Sequence, residues 1–297
     1  MFQFAVDVAL RACDLMLIAV GMSAVYSLMK FPNIALAQYA AMGAFIALVL
    51  QRAGLPLALA GCLSVLAVGI VAVILNRLLF ERMLAIGAST AMIGSLAVSM
   101  VISAVFLVII GPSPARFELT IARPMRILGA RITEQQLLSL GLTVMAIAAF
   151  AFLLFRTDLG RCMRATATNT ILAEATGIDT RKTKTAVVLL SACLAALGGI
   201  SITLKGEVNI QTGLDLLLPV FSAAILGGLG NPLGAVMGAI VIAVAETVIT
   251  NVNFGPVLGE DLLFLPAAYA TAGSFVILVL TLLWRPRGLF VSEVKRV

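Results

Sequence analysis

Histidine is absent from this chain of 297 residues. Without it the chain cannot build a His-ligated zinc or haem site, a Ser-His-Asp triad or a histidine proton relay. The four cysteines, Cys13, Cys62, Cys162 and Cys193, contain no C-x-x-C pair, and we expect them to be small buried apolar side chains. A G-x-x-x-x-G-K-[ST] phosphate-binding loop is missing too, so this chain is not expected to hydrolyse ATP by itself.

Charge is also scarce. Only 11% of the residues are charged and 62% are hydrophobic, with a mean hydropathy of +1.14. Soluble domains have about 25% charged and about 45–50% apolar residues. A membrane span needs about 20 mainly apolar residues, so the length allows about eight to ten spans. Because the backbone must satisfy its own hydrogen bonds in lipid, the sequence predicts an all-α, polytopic integral membrane bundle.

The apolar runs that predict these spans are separated by connections of different lengths, the longest at 111–136 and 156–185. The runs cover 5–29, 31–50, 55–75, 84–110, 137–155, 186–205, 214–230, 233–250 and 266–284. The first run has no basic stretch before it and is interrupted by Asp7 and Asp14, so we expect a retained span and not a cleaved secretory signal. We interpret 1–297 as a single transmembrane domain.

The basic residues predict an orientation. The connection 156–185 carries six, the tail after Trp284 carries four and the link 76–83 carries two. Placing all three in the cytoplasm agrees with the positive-inside rule and requires an even number of crossings between them. The connection 111–136 then lies outside, although it contains four arginines.

Two sequence breaks interrupt the helical pattern, at Phe31-Pro32-Asn33 and at Leu226–Gly234. Breaks at membrane depth are tolerated where protein or an aqueous cavity satisfies the backbone, and paired breaks indicate a transport pathway. Tight turns between neighbouring spans are the alternative. The stretches Pro56–Gly61 and Pro232–Gly238 are faintly alike, which hints at an internal duplication.

Neutral polar residues at the two breaks are candidates for lining a substrate pathway, where they could hydrogen-bond a solute. The alternative is that they only join helices to one another. These candidates are Ser23, Asn33, Gln38, Tyr39, Gly228 and Asn231.

Ionisable residues inside the spans are few. Each costs about 2.5–3.5 kcal/mol at mid-span, which makes Asp14 and Glu246 notable. Neither has an evident basic partner in the sequence, and we favour structural roles near the helix ends. Because no cluster of acids occurs, a proton- or sodium-driven carrier is disfavoured, and energy for uphill transport must come from another subunit.

The connection 156–185 is the most distinctive segment. Its pattern predicts a short amphipathic helix and then a glycine-containing turn, with Arg164, Glu174 and Gly177 spaced as in a helix that ends at a glycine. Two interpretations of this segment remain open, a docking surface for a cytoplasmic partner and a solvated basic loop.

Several short motifs resemble branched-chain amino acid ABC transporter permeases. Their cytoplasmic loop and the following helix are matched by Gly160-Arg161, Arg164-Ala165, Asn169, Gly177-Ile178 and Ala192–Gly199. A second signature of this family is similar to Phe221–Gly238, with Glu246 beyond it.

The resemblance implies a multi-pass permease subunit in the bacterial inner membrane, which imports a small polar solute. It would act beside a second permease (related or identical), two cytoplasmic ATPases and an external solute-binding protein. This chain would have no catalytic residues and no cofactor of its own, because ATP is used by the partners. Its coupling loop, which receives the ATPase motion, would include Gly160, Arg161, Arg164, Asn169, Glu174 and Gly177.

The first break departs from the family pattern. Members that carry branched-chain amino acids have a stretch like N-F-A-H-G-E-F-Y-M-L-G-A-Y, whereas Leu36 and Gln38 stand here in place of the histidine and the acid. The solute therefore need not be leucine, isoleucine or valine, since the family also serves urea, amides and organic acids.

Three other classes of protein fit the sequence less well. An ion-coupled secondary transporter would need an ion site inside the bundle, and a passive channel would need no ATPase. An intramembrane enzyme would need a richer set of catalytic side chains than this sequence offers. The family resemblance favours the importer over all three.

Overall fold

The computed structural model describes residues 2–117, 125–127, 129–251, 268–285 and 288–289. It is an all-α bundle with one small hairpin. The helices are α1 (Phe2–Met29), α2 (Ala35–Arg52), α3 (Leu57–Leu75), α4 (Glu81–Ile86), α5 (Ala88–Ile110), α6 (Glu134–Arg156), α7 (Asp158–Thr168), α8 (Thr170–Ala175), α9 (Thr180–Lys205), α10 (Thr212–Gly227), α11 (Pro232–Asn251) and α12 (Ala268–Trp284). A π-helical turn, Asn76–Phe80, joins α3 to α4, and strands β1 (Met125–Ile127) and β2 (Ala130–Ile132) pair antiparallel.

Each predicted apolar run overlaps a helix, and residues 266–267 of the last run lie outside the described part of the chain. Seven helical segments within the described residues are long and apolar enough to cross a membrane, counting Leu57–Ile86 as one, and α10 and α12 are shorter apolar helices. The prediction of a polytopic helical bundle is confirmed. The run boundaries differ from the helix boundaries by a few residues, most of all at the start of α9, which begins at Thr180 and not at 186. The run 84–110 is divided at Gly87, and its first residues belong to α4.

The described parts of the three basic segments lie at one end of the bundle, which we call the loop end. There the Lys30 Nζ, just after α1, donates to the Ala167 carbonyl of α7 at 3.1 Å. The Leu289 backbone N–H donates to the Leu226 carbonyl at 2.9 Å, which places the segment after α12 beside the end of α10.

The opposite end carries the hairpin, and we call it the hairpin end. The Arg131 backbone N–H donates to Gln3 Oε1 at 3.0 Å, and Ala115 pairs with Val208 in an isolated β-bridge. The described part of 111–136 therefore lies opposite the described parts of the three basic segments, as the orientation prediction requires.

Two antiparallel helices, α1 and α9, form the centre of the bundle. A Cβ added at Gly21 of α1 would lie 2.8 Å from the Ser191 carbonyl oxygen of α9, and one at Gly198 would lie 2.9 Å from Ile18. Such close approach is possible because these positions are glycine, and van der Waals packing of small residues drives helix association in lipid. Helices α2 and α3 pack on α9, whereas α10 and α11 pack on α1.

This arrangement contains an internal repeat. Adding a constant offset of 176 positions, the spacing of Pro56 and Pro232, carries α1 onto α9, α2 onto α10, α3 onto α11 and α5 onto α12, to within four residues at each boundary. The glycines that precede these prolines, Gly54 and Gly230, share positive φ angles of 95° and 92°. Because α1 and α9 are antiparallel, the two halves have inverted topology.

The first break is buried in protein. Helix α1 ends at Met29, the next residue, Lys30, has a φ of 57°, and the Phe31 side chain that follows is fully buried. The Ile34 backbone N–H donates to Ser95 Oγ of α5 at 3.0 Å, and Asn33 Oδ1 accepts from the Ala35 backbone N–H at 3.1 Å. Neighbouring helices and a local side chain thus satisfy the interrupted backbone.

The second break is a tight turn at the loop end. It joins α10 to α11, and the glycines at Gly227 and Gly234 let the two antiparallel helices touch through their backbones. Of the two alternatives for this break, the structure therefore shows the turn between neighbouring helices.

Candidate functional site

The predicted coupling loop lies at the loop end and begins with α7. Thr157 caps this helix, because its Oγ1 accepts from the Gly160 backbone N–H at 3.3 Å. A side chain at Gly160 would collide with the carbonyl oxygens of Leu153 and Leu154 at the end of α6. The glycine thus lets α7 fold tightly back against α6.

The two predicted arginines of α7 have different environments. Arg161 forms an exposed ion pair with Asp158, one helical turn away. Arg164 donates to the Leu154 carbonyl of α6, and its guanidinium lies 5.8 Å from the centre of the Phe155 ring. A cation over an aromatic face is attracted to it, so Arg164 ties α7 to α6 whereas Arg161 is free to face a partner.

The expectation of one helix through the loop is wrong. Asn169 has an extended backbone, with φ −153° and ψ 104°, and its Oδ1 caps a second helix, α8, by accepting from the Leu172 backbone N–H at 3.1 Å. Asparagine competes for backbone hydrogen bonds in this way and favours helix starts. Arg164 therefore lies on α7, while Glu174 belongs to α8.

The glycine stop is present where the sequence placed it. Gly177 follows α8 with a φ of +87°, a conformation that glycine adopts without strain. Glu174 Oε1 accepts from Thr180 Oγ1 at 2.5 Å, which joins α8 to the first turn of α9.

Asp179 starts α9 and is an additional polar cap. Its Oδ1 accepts from the Lys182 backbone N–H at 3.0 Å, and its Oδ2 lies 3.2 Å from Lys182 Nζ. The backbone hydrogen bond, followed by the Lys182 side chain, lowers the pKa of Asp179. The signal that identifies this cap in the sequence is an aspartate just before a helix, three residues ahead of a lysine.

Three of the predicted pathway residues, Ser23, Gly228 and Asn231, lie at the α10–α11 turn beside the coupling loop. A cavity of about 310 Å³ separates α7 from the α10–α11 turn, and its lining includes Arg164, Ser27 and Asn231. Gly228 belongs to the same turn, with a φ of 97°. Ser23 Oγ of α1 accepts from the Gly230 backbone N–H at 3.2 Å, so Ser23 also contacts this turn.

The other candidates lie at the start of α2. Asn33 caps its own turn, whereas Gln38 and Tyr39 are each only 1% exposed. Among the described residues, neither amide atom of Gln38 nor the Tyr39 hydroxyl has a hydrogen-bond partner. Gln38 packs against Gly213, in the first turn of α10, where any larger residue would collide with it. The structure thus separates the six candidates into two groups.

The expectation that Asp14 and Glu246 lack basic partners is wrong. Glu246 Oε2 lies 2.5 Å from Arg11 Nε, and Glu246 Oε1 accepts from Ser274 Oγ at 2.5 Å. Asp14 Oδ1 lies 2.5 Å from Lys205 Nζ. The sequence could not reveal these pairs, because the two residues of each pair are far apart along the chain. Arg11 and Glu246 are separated by 235 positions, and Asp14 and Lys205 by 191.

The described residues offer no metal centre, since no three His, Cys, Asp or Glu side chains among them are grouped to hold an ion. The expectation of buried cysteines is confirmed for Cys13 and is wrong for Cys62, which is exposed on α3. Cys162 and Cys193 are half-buried.

Known proteins are similar to this chain in sequence. The family model described as branched-chain amino acid transport system / permease component matches residues 4–284. A protein of Methanocaldococcus jannaschii, named as a probable LivH branched-chain amino acid transport permease, is 26% identical over 93% of this chain and 88% of its own length.

Other relatives match over shorter segments. The LivH high-affinity branched-chain amino acid permease of Salmonella typhimurium is 29% identical over 54% of this chain and 48% of its own length. The autoinducer 2 import permease LsrC of Escherichia coli O9:H4 is 35% identical over 33% of this chain and 31% of its own.

A solved structure shares the fold. It is an inward-facing ABC transporter assigned to the metal-chelate type, with a TM-score of 0.51 and 15% identity over 93% of this chain and 85% of that one. The family match, over residues 4–284, includes both copies of the repeat. The chain therefore belongs to the family of permease components of branched-chain amino acid transport systems.

Proposed function

We propose that this chain is the non-catalytic permease subunit of an ATP-driven importer in the bacterial inner membrane. It acts with a second permease, two cytoplasmic ATPases and an external solute-binding protein, and the loop end faces the cytoplasm. The observation that carries the proposal is the folded loop of α7 and α8 at the loop end, where the described parts of the basic segments lie. The family match and the positive-inside rule support it.

The contacts of the loop suggest how motion reaches the spans. Arg164 joins α7 to α6, the Ala167 carbonyl of α7 binds Lys30 at the end of α1, and Glu174 joins α8 to α9 through Thr180. A movement of α7 and α8 would therefore act on α6, α1 and α9 together. Gly160 and Gly177 allow the close fold-back and the turn, Asn169 separates the two helices, and Arg161 is exposed for contact with an ATPase.

The pathway is assigned to the region around Gln38. An unsatisfied buried polar group costs about 1–3 kcal/mol, and Gln38 leaves both amide atoms unpartnered among the described residues. The cost is accounted for if the Gln38 amide forms hydrogen bonds with a passing solute or with water that accompanies it. Asn33 and Tyr39 flank it on α2, whereas Ser23, Gly228 and Asn231 would line the exit near α7.

The solute is a small polar molecule, and an amino acid with an aliphatic side chain is the preferred candidate. The names of the relatives in Methanocaldococcus jannaschii and Salmonella typhimurium support this class. The LsrC match shows that related permeases are named for other solutes. The alternative of an ion-coupled carrier has no supporting observation in the described residues.

The hairpin end would receive the solute-binding protein. Arg126 and Arg131 face each other directly across β1 and β2, and both are exposed. Like charges directly opposite in a strand pair are destabilising. A carboxylate on the binding protein would relieve their repulsion.

The first test is purification of the chain from its native membrane in mild detergent after crosslinking. Two ATPases and a second permease should accompany it. Recovery of the chain alone would contradict the proposal and favour a carrier that works without an ATPase.

A second test addresses coupling. The double variant Arg164→Ala/Glu174→Ala should lose ATP-driven uptake in proteoliposomes while remaining folded and inserted. Arg52→Ala, which alters an arginine at the hairpin end, far from the loop, is the matched control and should transport normally. Normal uptake and normal ATPase co-purification in the double variant would remove the coupling assignment.

A third test addresses the pathway. Gln38→Leu should fold at least as stably as the wild type, because it removes two unsatisfied amide atoms, yet it should impair uptake. Ser99→Ala removes a buried unpartnered hydroxyl from α5, and we expect it to keep full uptake. Equal uptake by both variants would exclude Gln38 from the pathway.

A further inference from the structure

A second cleft lies at the loop end, and of its lining only Glu174 and its partner Thr180 belong to the coupling contacts described above. It measures about 400 Å³ and lies between α4 on one side and α8 with the first turns of α9 on the other. Ligand sites in proteins are clefts of about 300–1,000 Å³, so this one has room for a small molecule. Its lining consists of Met29, Glu81, Leu84, Ala85, Glu174, Thr180, Arg181 and Lys184.

The charges around the cleft are balanced but held apart. Two carboxylates, Glu81 and Glu174, and two cations, Arg181 and Lys184, line the same space. None of the four takes part in an ion pair with any residue that the structure describes. This contrasts with Lys182, their neighbour on α9, which pairs with Asp179.

The carboxylates are oriented by neutral donors. Glu81 Oε1 accepts from Asn76 Nδ2 at 3.1 Å, and Glu174 Oε1 accepts from Thr180 Oγ1 at 2.5 Å. These hydrogen bonds hold both acids without neutralising them, so their negative charge remains available to a ligand.

The remaining wall is apolar. Met29, at the end of α1, is 4% exposed, and Leu84 and Ala85 come from α4. An aliphatic group placed there would leave water and gain contact with these side chains.

We propose that this cleft binds a free amino acid with an aliphatic side chain. Its carboxylate would bind Arg181 and Lys184, its ammonium group would bind Glu81 and Glu174, and its side chain would lie on Met29 and Leu84. A ligand with both charges satisfies all four groups at once, whereas an anion or a cation alone would leave one pair unmatched and face repulsion from it.

The position of the cleft gives the ligand a regulatory effect. A bound amino acid joins α4 to α8 and α9, and thereby fixes the coupling loop against the bundle. Since the loop end is assigned to the cytoplasm, the amino acid comes from the side that receives the imported solute. Accumulated solute therefore slows its own import. This effect, unlike the binding itself, rests on the proposed function.

Binding is tested by calorimetry with leucine on the purified assembly in lipid nanodiscs. Two probes each lack one charge, 4-methylpentanoate without the ammonium group and 3-methylbutylamine without the carboxylate. Each should bind at least about tenfold more weakly than leucine, the ratio expected when one charged contact is lost. Equal binding of leucine and either probe would overturn zwitterion recognition.

Two variants locate the site. Lys184→Met and Glu81→Gln should each weaken leucine binding about tenfold, while Lys182→Met, which alters an exposed lysine outside the cleft, should leave it unchanged. Leucine affinity that neither cleft variant alters would overturn the site. Leucine bound by the chain alone but not by the assembly would show that an ATPase fills the cleft and would overturn the regulatory effect.

Transport separates this inference from the proposed function. Vesicles preloaded with leucine and ATP should import external labelled solute more slowly than vesicles loaded with ATP alone. Lys184→Met should remove the difference and keep the rate of the unloaded vesicles. Equal inhibition of both proteins would contradict the cleft while leaving the importer intact. Absence of ATP-driven uptake by the wild type would instead contradict the importer, and the calorimetry would still decide the binding site.

Discussion

Replacing Arg11 by methionine is predicted to destabilise the bundle far more than removing its partner. Glu246 is 2% exposed, whereas the Arg11 side chain is 34% exposed. Without Arg11 the carboxylate keeps only the hydroxyl of Ser274 as a donor among the described residues, and its burial shields it from water. Leaving one charge of a buried pair without its partner costs about 3–5 kcal/mol.

The converse change has a smaller expected cost. In Glu246→Gln the amide oxygen can still accept from Ser274, and Arg11 can turn its charge to water because a third of its side chain is already exposed. An interhelical hydrogen bond in a membrane protein contributes about 0.6 kcal/mol on average and about 1.7 at most. We therefore expect Glu246→Gln to cost about 1 kcal/mol.

The assay is reversible unfolding of the detergent-solubilised chain, followed by circular dichroism. The double variant Arg11→Met/Glu246→Gln should be more stable than Arg11→Met alone, because the unpaired charge is then gone. Equal losses in the two single variants, or a double variant no more stable than Arg11→Met, would refute the reasoning from burial.

Three further changes follow from local geometry. Asp179→Ala should lower the thermal midpoint at pH 7. The difference from the wild type should shrink as the pH falls through the lowered pKa of Asp179, because a carboxylate with a lowered pKa stabilises the fold only while it is ionised. Gly199→Ala should prevent normal packing of α9 on α2, at a cost of at least about 1–3 kcal/mol, since its methyl group would strike a backbone carbonyl. Gly61→Ala, whose nearest neighbour is 3.9 Å away, is its control, and similar midpoints for both would contradict the close approach. Arg126→Glu should reduce binding of the solute-binding protein more at low salt than at high salt, and an equal effect at both would exclude an electrostatic contact.

The spans were predictable from the sequence because the transfer of apolar side chains into lipid outweighs every other contribution there. The segment around Ala192–Gly199 is apolar at every position, and it lies in the second half of α9. The glycine stop at Gly177 was predictable as well, since a positive φ after a helix favours glycine.

The loop was less predictable, because its conformation depends on small effects that oppose one another. The side-chain oxygen of Asn169 can cap a new helix instead of letting one helix continue through the loop. The sequence alone does not show which of these two conformations is the more stable. The ion pairs of Asp14 and Glu246 depend on which helices are neighbours. That information is absent from spacing along the chain.

The repeat shows why an internal duplication can persist in a fold while it fades from a sequence. Apolar positions that face lipid or neighbouring helices accept many substitutions of similar volume, so the two halves have diverged there. The two halves keep the same residue type where the backbone conformation allows few amino acids. Gly54 and Gly230 both have positive φ, and Pro56 and Pro232 both stand where a helix begins.

The turns before α2 and α10 also keep the same residue type, asparagine, at equivalent positions of the repeat. In each, an asparagine carbonyl, that of Asn33 or Asn209, accepts from the backbone N–H three residues later, at 3.2 and 3.1 Å. The side-chain oxygen of each asparagine also accepts a hydrogen bond within the same turn. These two residues are separated by the same 176 positions as the prolines. Exchanging Asn209 for alanine should therefore weaken the start of α10 as Asn33→Ala weakens α2. Measured uptake should fall further in the Asn33 variant, because Gln38 belongs to α2 and meets α10 only through its contact with Gly213. An equal loss of uptake in both variants would contradict this ranking.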